Sequence, residues 1–193
     1  GIRIVLIPGA KERIDEVLSD YGFAPQWSDG VRITNSDIMP FVRMAAFDVA
    51  TRIMTSLSAY GCKSVIGNWV RARGIGVVDG IDFQRTGFAE KILTQDVLTI
   101  LDEGFIPILP CVGWSTVGRP YNIASNELAV ITASRLGADK LFFLTSRPKF
   151  MAEDFVLPEG VVLSSEGRIS NFSLADIQQF FRLNKYDESL ELL

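Results

Sequence analysis

Histidine is absent from the 193-residue sequence, and cysteine occurs only twice. Without histidine the chain cannot form the Ser-His or Cys-His pairs that activate a nucleophile, and a zinc site would lack its commonest nitrogen ligand. Cys62 and Cys111 stand far apart with no metal-ligand spacing, so we interpret both as small core residues. Any chemistry must therefore use carboxylates, amides, hydroxyls, lysine, arginine and backbone dipoles.

Long hydrophobic runs and an excess of positive charge are also missing. No apolar run approaches the roughly 20 residues that span a bilayer, and the sequence does not open with a signal peptide. The formal net charge is −4, with Lys and Arg scattered along the chain, which argues against nucleic acid as the main partner. We therefore expect a cytoplasmic globular domain over residues 1–193 whose partner is a small molecule rather than nucleic acid or a membrane.

Alternating strand and helix patterns with short connections predict the fold class, α/β with a mostly parallel central sheet. An apolar strand over residues 2–7 precedes the turn Pro8-Gly9 and an amphipathic helix that ends at Gly22. Further helices are expected over residues 42–60 and 94–103, and a strand over residues 105–112. Residues 174–181 are a helix candidate.

The sequence between residues 65 and 90 is rich in glycine and charge. Residues 65–70 and 75–78 are β-prone runs separated by arginine and glycine, and they predict a β-hairpin flap outside the central sheet. The acidic residues of this stretch are Asp79, Asp82 and Glu90. Carboxylates can bind a metal ion, but we interpret these three as a solvated face and predict no metal site.

The stretch of residues 118–146 carries most of the polar candidates. Ser125 is expected to cap a helix that is buried on nearly every face from Leu128 to Leu136 and ends at Gly137. Residues 141–144 are a continuous apolar run, typical of a strand covered on both faces of a parallel sheet. Polar residues fall at loop or strand ends, where open α/β sheets bind ligands: Asn122, Ser125, Asn126, Thr145 and Ser146.

Arg32 and the Pro8-Gly9 turn each allow two interpretations. Arg32 lies between two predicted elements, where its guanidinium is either free for a ligand carboxylate or paired in a surface salt bridge, which composition favours. The turn either aims backbone N–H groups at an anion or is an ordinary connection between strand and helix.

Seven short motifs, in this order, extend over nearly the whole chain: Pro8-Gly9, Gly30-x-Arg32-x-Thr34, Gly67-Asn68, Gly76-Val77-x-Asp79-Gly80-x-Asp82, Glu103-Gly104-x-Ile106-Pro107, Tyr121-Asn122-Ile123 and Leu136-Gly137-Ala138-Asp139-Lys140. Their order and spacing resemble the amino-acid kinase family, in particular acetylglutamate kinases and, more closely, the kinase-like domains of N-acetylglutamate synthases. The resemblance implies a three-layer sandwich, the amino-acid kinase or carbamate kinase-like fold.

The resemblance also implies roles for particular residues. The turn Pro8, Gly9 and Ala10 corresponds to the glycine-rich turn that lies near the nucleotide phosphates in the kinases. Arg32 would hold a carboxylate of the acylated amino acid, and Asn122 would contact the same substrate.

Several departures from the kinase pattern remove charge from the expected site. The chain lacks the first kinase lysine, a proline stands in the phosphate turn, Asn126 replaces an aspartate, and Ser146 replaces the aspartate of a Thr-Asp pair. Phosphoryl transfer depends on such charges to stabilise the transferred group. We therefore predict no catalytic residue in this chain.

Three functional hypotheses follow from the resemblance. In the first, residues 1–193 are a kinase-like domain, cut at both ends, of a homo-oligomeric N-acetylglutamate synthase. This domain binds arginine, glutamate or N-acetylglutamate and needs no cofactor. Acetyl-CoA is the co-substrate of an acetyltransferase domain that is absent from this chain. In the second, the chain is a divergent acetylglutamate kinase that uses Mg-ATP. In the third, it is a non-catalytic binding or oligomerisation module with a vestigial pocket.

Overall fold

A computed structural model of the chain describes residues 2–144, 151–171, 179–180 and 183–184. Their contacts divide the chain into two units, Gly1–Leu141 and Phe142–Leu193. The expected helix over residues 174–181 lies mostly outside the described residues. In the described part, no helix has both the length and the apolar character needed to cross a membrane.

In the described part of the first unit, four helices are separated by groups of two to five strands. The helices are α1 (Lys11–Asp20), α2 (Met39–Ala59), α3 (Thr94–Asp102) and α4 (Ser125–Leu136). The strands are β1 (Gln26–Ser28), β2 (Val31–Ile33), β3 (Ser64–Ile66), β4 (Val70–Gly74), β5 (Val77–Val78), β6 (Ile81–Asp82), β7 (Thr86–Ile92), β8 (Ile106–Ile108), β9 (Val112–Trp114) and β10 (Pro120–Ile123). The second unit contains a short 3₁₀ helix (Ala152–Asp154) and an antiparallel pair, β11 (Val162–Leu163) and β12 (Ile169–Asn171).

The predicted parallel pairing is present, but one of its strands, β3, overlaps the run of residues 65–70 that was expected in a flap outside the central sheet. Strand β3 pairs in parallel with β8, from Ser64 opposite Ile106 to Ile66 opposite Ile108. The apolar run over residues 2–7 joins them through a single parallel bridge between Leu6 and Ile108. Pro110 separates β8 from β9, so the expected strand over residues 105–112 is two strands.

Strands β4, β7, β9 and β10 close into a small barrel of mixed pairing. Strand β7 pairs antiparallel with β4 and in parallel with β10, and β9 closes the ring between β10 and β4. The barrel interior is tight at Gly113, where an added Cβ would lie 2.7 Å from the Ala72 Cβ and 2.8 Å from the Ile123 Cδ1. Only glycine fits there without displacing a neighbour.

The predicted hairpin occurs further along the chain than expected. Residues 65–70 and 75–78 do not pair with each other, because β3 is held by β8 and β4 is part of the barrel. The hairpin instead joins β5 and β6 around Asp79 and Gly80, whose φ angles of 49° and 80° are those of a type I′ turn. The dipeptide Asp79-Gly80 is a local turn signal, whereas pairing with distant strands decides where β3 and β4 lie.

Three expectations for residues 125–144 are wrong. Ser125 does not cap α4, because the N-cap is Ala124 and Ser125 is the first residue of the helix. Helix α4 buries Leu128, Ala129 and Thr132, whereas Val130 is 51% exposed, because the helix packs on β7 and α3 along one side only. Residues 141–144 belong to no strand, since no described strand pairs with them. The predicted end of α4 is confirmed, with Gly137 in the left-handed conformation at φ 62°.

Ion pairs on the protein surface connect α1 to α2. The carboxylate of Asp48 accepts a hydrogen bond from Arg13 Nε at 2.8 Å and lies 2.9 Å from Arg52 Nη2. The hydrogen bond from Arg13 is the main cause that lowers the pKa of Asp48 below its ordinary value of 3.8. A lowered pKa in the folded state means that the ionised carboxylate stabilises the fold.

We predict that Asp48→Asn lowers the thermal midpoint at pH 7, and that this difference disappears as the pH falls below 3.8. The stabilisation is complete above the unfolded-state pKa and is lost as the pH falls through the lower folded-state pKa. Thermal unfolding from pH 7 to pH 2.5 measures the difference. Asp102→Asn is the matched control, because Asp102 pairs with Arg3 where both side chains are more than half exposed. An equal effect of the two substitutions would contradict the prediction.

Candidate functional site

The turn before α1 lies beside the beginning of α4. Pro8 and Ala10 are buried while Gly9 is exposed, and Ala10 precedes the first residue of α1. A Cβ added to Gly9 would lie 3.3 Å from the Ser125 hydroxyl oxygen, so the turn passes close to the first residue of α4. Two helix N-termini therefore meet at this turn, and both contribute backbone N–H groups that favour negative charge.

Arg32 is buried and is held by two side chains. Its Nη2 lies 2.5 Å from Asp15 Oδ1 on α1, and the Arg32 side chain is only 4% exposed. The indole ring of Trp27 stacks on the guanidinium, with 4.2 Å from the ring centroid to Cζ. The salt bridge that composition favours is therefore present, but the Arg32 side chain is buried rather than on the surface, because the β1–β2 hairpin and α1 cover it.

The hairpin geometry explains the contact between Trp27 and Arg32. Asp29 and Gly30 both have positive φ, 48° and 75°, and form the two-residue turn between β1 and β2. Trp27 and Arg32 are then directly opposite each other in the register of the pair. Side chains opposite each other on one face of an antiparallel pair are close enough to stack.

One nitrogen of the Arg32 guanidinium has no hydrogen-bond partner. Nη1 is buried, and no acceptor for it exists among the described residues. The buried thiol of Cys111 is nearby: burial raises its pKa to about 11, which outweighs the opposing effects of the Ala10 backbone and the Arg32 charge. Cys111 is therefore neutral at pH 7, as expected for a core residue, and supplies no negative charge to Arg32.

A buried polar network connects Arg32 to Asn122. The Thr86 hydroxyl donates to the Arg32 carbonyl at 2.5 Å and accepts from the Thr34 amide at 3.0 Å. The Asn122 side-chain amide donates to the Thr34 hydroxyl at 3.0 Å. Thr34, Thr86 and Asn122 are at most 9% exposed. The network fixes β2 against β7 and β10, so the backbone of Arg32 is rigid.

The structure therefore places the predicted site residues in two groups. Arg32 and Asn122 belong to one hydrogen-bond network through Thr34 and Thr86, although their side chains do not bond to each other. The turn of residues 8–10 and Asn126, half-buried in the first turn of α4, belong to the region where the two helices begin. Thr145 and Ser146 lie outside the described residues.

Three residues of this region were not predicted from the sequence. Asp15 has no local signal, because its partner is 17 residues away. Trp27 could have been found, since the dipeptide Asp29-Gly30 is a strong hairpin signal that sets Trp27 opposite Arg32. Thr86 precedes a glycine and resembles a turn residue, but it begins the seven-residue strand β7.

No group of acidic or cysteine side chains able to hold a metal ion exists within the described part of the chain. Of the acids considered for a metal, Glu90 forms an ion pair with Arg73, with 2.9 Å between Oε1 and Nη2. Arginine, amide and backbone N–H donors are the groups in this region whose chemistry suits a carboxylate or another small anion.

The chain belongs to the amino acid kinase family, whose model matches residues 1–163. The amino-acid acetyltransferase of Ralstonia nicotianae is 30% identical over 185 residues, which cover 88% of this chain and 41% of that protein. The amino-acid acetyltransferase of Shewanella oneidensis is 33% identical over 156 residues, 76% of this chain and 35% of that protein. The chain thus spans about two-fifths of the length of these relatives.

Solved structures of N-acetylglutamate synthase from Neisseria gonorrhoeae have the same fold. The complex with coenzyme A and L-arginine matches 100% of this chain and 44% of its own, with a TM-score of 0.81 and 28% identity. The complex with coenzyme A and N-acetyl-glutamate matches 93% of this chain and 40% of its own, with a TM-score of 0.74 and 28% identity. These matches confirm the predicted α/β amino-acid kinase fold and the resemblance to N-acetylglutamate synthase.

We predict that Thr86→Val lowers the free energy of unfolding by at least about 2 kcal/mol. The substitution leaves the Arg32 carbonyl and the Thr34 amide without their hydrogen-bond partner, and each such buried group costs roughly 1–3 kcal/mol. Thr86→Ser keeps the hydroxyl and loses one methyl, so its cost should stay near about 0.8 kcal/mol. Urea denaturation of the three proteins measures the difference. If the serine variant were as unstable as the valine variant, the network would not be what holds β2 to β7.

Proposed function

We propose that this chain is the kinase-like part of an N-acetylglutamate synthase and does not itself transfer phosphate. The whole enzyme would transfer the acetyl group of acetyl-CoA to L-glutamate, the first step of arginine biosynthesis, and acetyl-CoA would bind outside this chain. The kinase-like part would bind an amino acid such as arginine and regulate that activity by feedback. We place the enzyme in the cytoplasm as a homo-oligomer.

One observation carries the proposal: the full length of this chain matches the arginine-bound N-acetylglutamate synthase with a TM-score of 0.81. The local chemistry supports it. A phosphoryl-transfer site needs free cations around the transferred group. Here Lys11, the residue after the phosphate turn, has its Nζ 4.8 Å over the Trp27 ring and does not point freely into the turn. Pro8 also removes one backbone N–H donor from that turn.

The residues that remain are suited to recognition of an amino acid. Arg32 retains the charge and Asn122 the amide that the family resemblance assigns to the substrate. Arginine, glutamate and N-acetylglutamate all carry the α-carboxylate that a guanidinium binds best. Recognition of the carboxylate alone would not distinguish these three ligands, so specificity would come from contacts with the rest of the ligand.

We predict that L-arginine raises the thermal midpoint of the chain, whereas agmatine, which is arginine without its carboxylate, does not. A ligand present at about a hundred times its dissociation constant adds roughly 2.7 kcal/mol to the folded state. N-acetylglutamate and L-glutamate are measured in parallel. An absence of any shift in a cooperatively unfolding sample would contradict amino-acid binding and would favour a module without ligand.

A second candidate, acetylglutamate kinase, is favoured by the convergence of the α1 and α4 N-termini at Gly9 and Ser125, an arrangement that suits phosphate. We predict that Asn126→Asp does not produce ADP from Mg-ATP and N-acetylglutamate, because Pro8 still removes a donor from the phosphate turn and Ser146 still stands where the kinases have an aspartate. Asn126→Ala is the control for any background hydrolysis. Turnover that rises in the aspartate variant alone would support the kinase and contradict our proposal.

A further inference from the structure

The Arg32 guanidinium is constrained on one edge and one face. Asp15 binds Nη2 on the edge, and Trp27, its cross-strand partner, covers the face. Both constraints are rigidly supported, since Asp15 follows the core residue Ile14 on α1 and the register of β1 with β2 fixes Trp27. The side chain therefore has one defined orientation.

This orientation leaves one set of donors unused. Nη1 is buried and has no acceptor among the described residues, and the neighbouring Cys111 thiol is neutral. Ionised groups in a protein interior normally have all their hydrogen-bond donors and acceptors paired. A buried donor without a partner is an exception that requires an explanation. A carboxylate oxygen of a bound ligand would satisfy Nη1 while Asp15 keeps Nη2.

We infer that Asp15 and Trp27 are positioning residues of the amino-acid site, holding the Arg32 guanidinium so that Nη1 meets one oxygen of the ligand's α-carboxylate. The inference rests on the proposed function, because it deepens the role given there to Arg32. Neither Asp15 nor Trp27 needs to touch the ligand.

Trp27 is placed to report ligand binding at Nη1. The residue is 40% exposed, and its ring lies over the Arg32 guanidinium, 4.2 Å from the ring centroid to Cζ. A carboxylate bound to Nη1 would lie next to this ring, so its binding should change the indole fluorescence.

The first experiment compares Asp15→Asn with Asp15→Ala by calorimetric titration of L-arginine and of N-acetylglutamate. The asparagine keeps an acceptor for Nη2, so the affinity should stay within about threefold of the native chain. The alanine loses that acceptor, and a lost hydrogen bond to a charged group should weaken binding at least about tenfold. Asp48→Asn is the matched control, because it removes an ion pair from α2 that does not involve Arg32.

The second experiment uses Trp27 and decides the question if Asp15→Ala does not fold. Trp27→Phe keeps an aromatic face and should retain binding, whereas Trp27→Leu should weaken it. The ligand-induced change in tryptophan emission should be present in the native chain, absent in Trp27→Phe and retained in Trp69→Phe, since Trp69 is buried in the barrel cluster.

The outcomes separate this inference from the function on which it rests. Native binding that Asp15→Ala and Trp27→Leu leave unchanged would overturn the positioning role alone. Tighter binding in both Asp15 variants would also overturn it, because Asp15 would then compete with the ligand for Arg32. If the native chain bound neither arginine nor N-acetylglutamate, the proposed function itself would fail.

Discussion

The burial of one guanidinium is the constraint on which the candidate site depends. A charged group inside a protein requires a counter-ion and close packing partners, and Arg32 obtains these from three other elements of the first unit. Asp15 comes from α1, Trp27 from β1, and Thr86 holds the Arg32 backbone from β7. Arg32 thus connects the helical layer to the barrel, and its position cannot change without changing theirs.

The sequence predicted features that depend on neighbouring residues. Gly137 ends α4 in the left-handed conformation, and the dipeptide Asp79-Gly80 forms the turn of the β5–β6 hairpin. Helices α1 and α3 lie where periodicity placed them. These features follow from backbone conformations that few residue types adopt, so a single sequence is enough to identify them.

Features that depend on distant partners were predicted less well. The apolar run of residues 141–144 resembles a buried strand, but a strand forms only if another strand pairs with it. Arg32 was identified as a site candidate, yet its partner Asp15 was not, because no periodicity connects α1 to β2. Trp27 is the intermediate case, because the Asp29-Gly30 turn sets it opposite Arg32 through the local geometry of a two-residue hairpin.

Under the proposed function, the two groups of candidate residues differ in the number of charges that their chemistry needs. Phosphoryl transfer needs several charged side chains in line, and Asn126 brings no charge to the start of α4. Carboxylate recognition needs one oriented guanidinium. In Arg32 that group contacts Asp15 and Trp27, while the buried polar network holds the Arg32 backbone and ties β2 to β7 and β10. The contacts that would orient the recognition group are therefore also contacts that stabilise the fold.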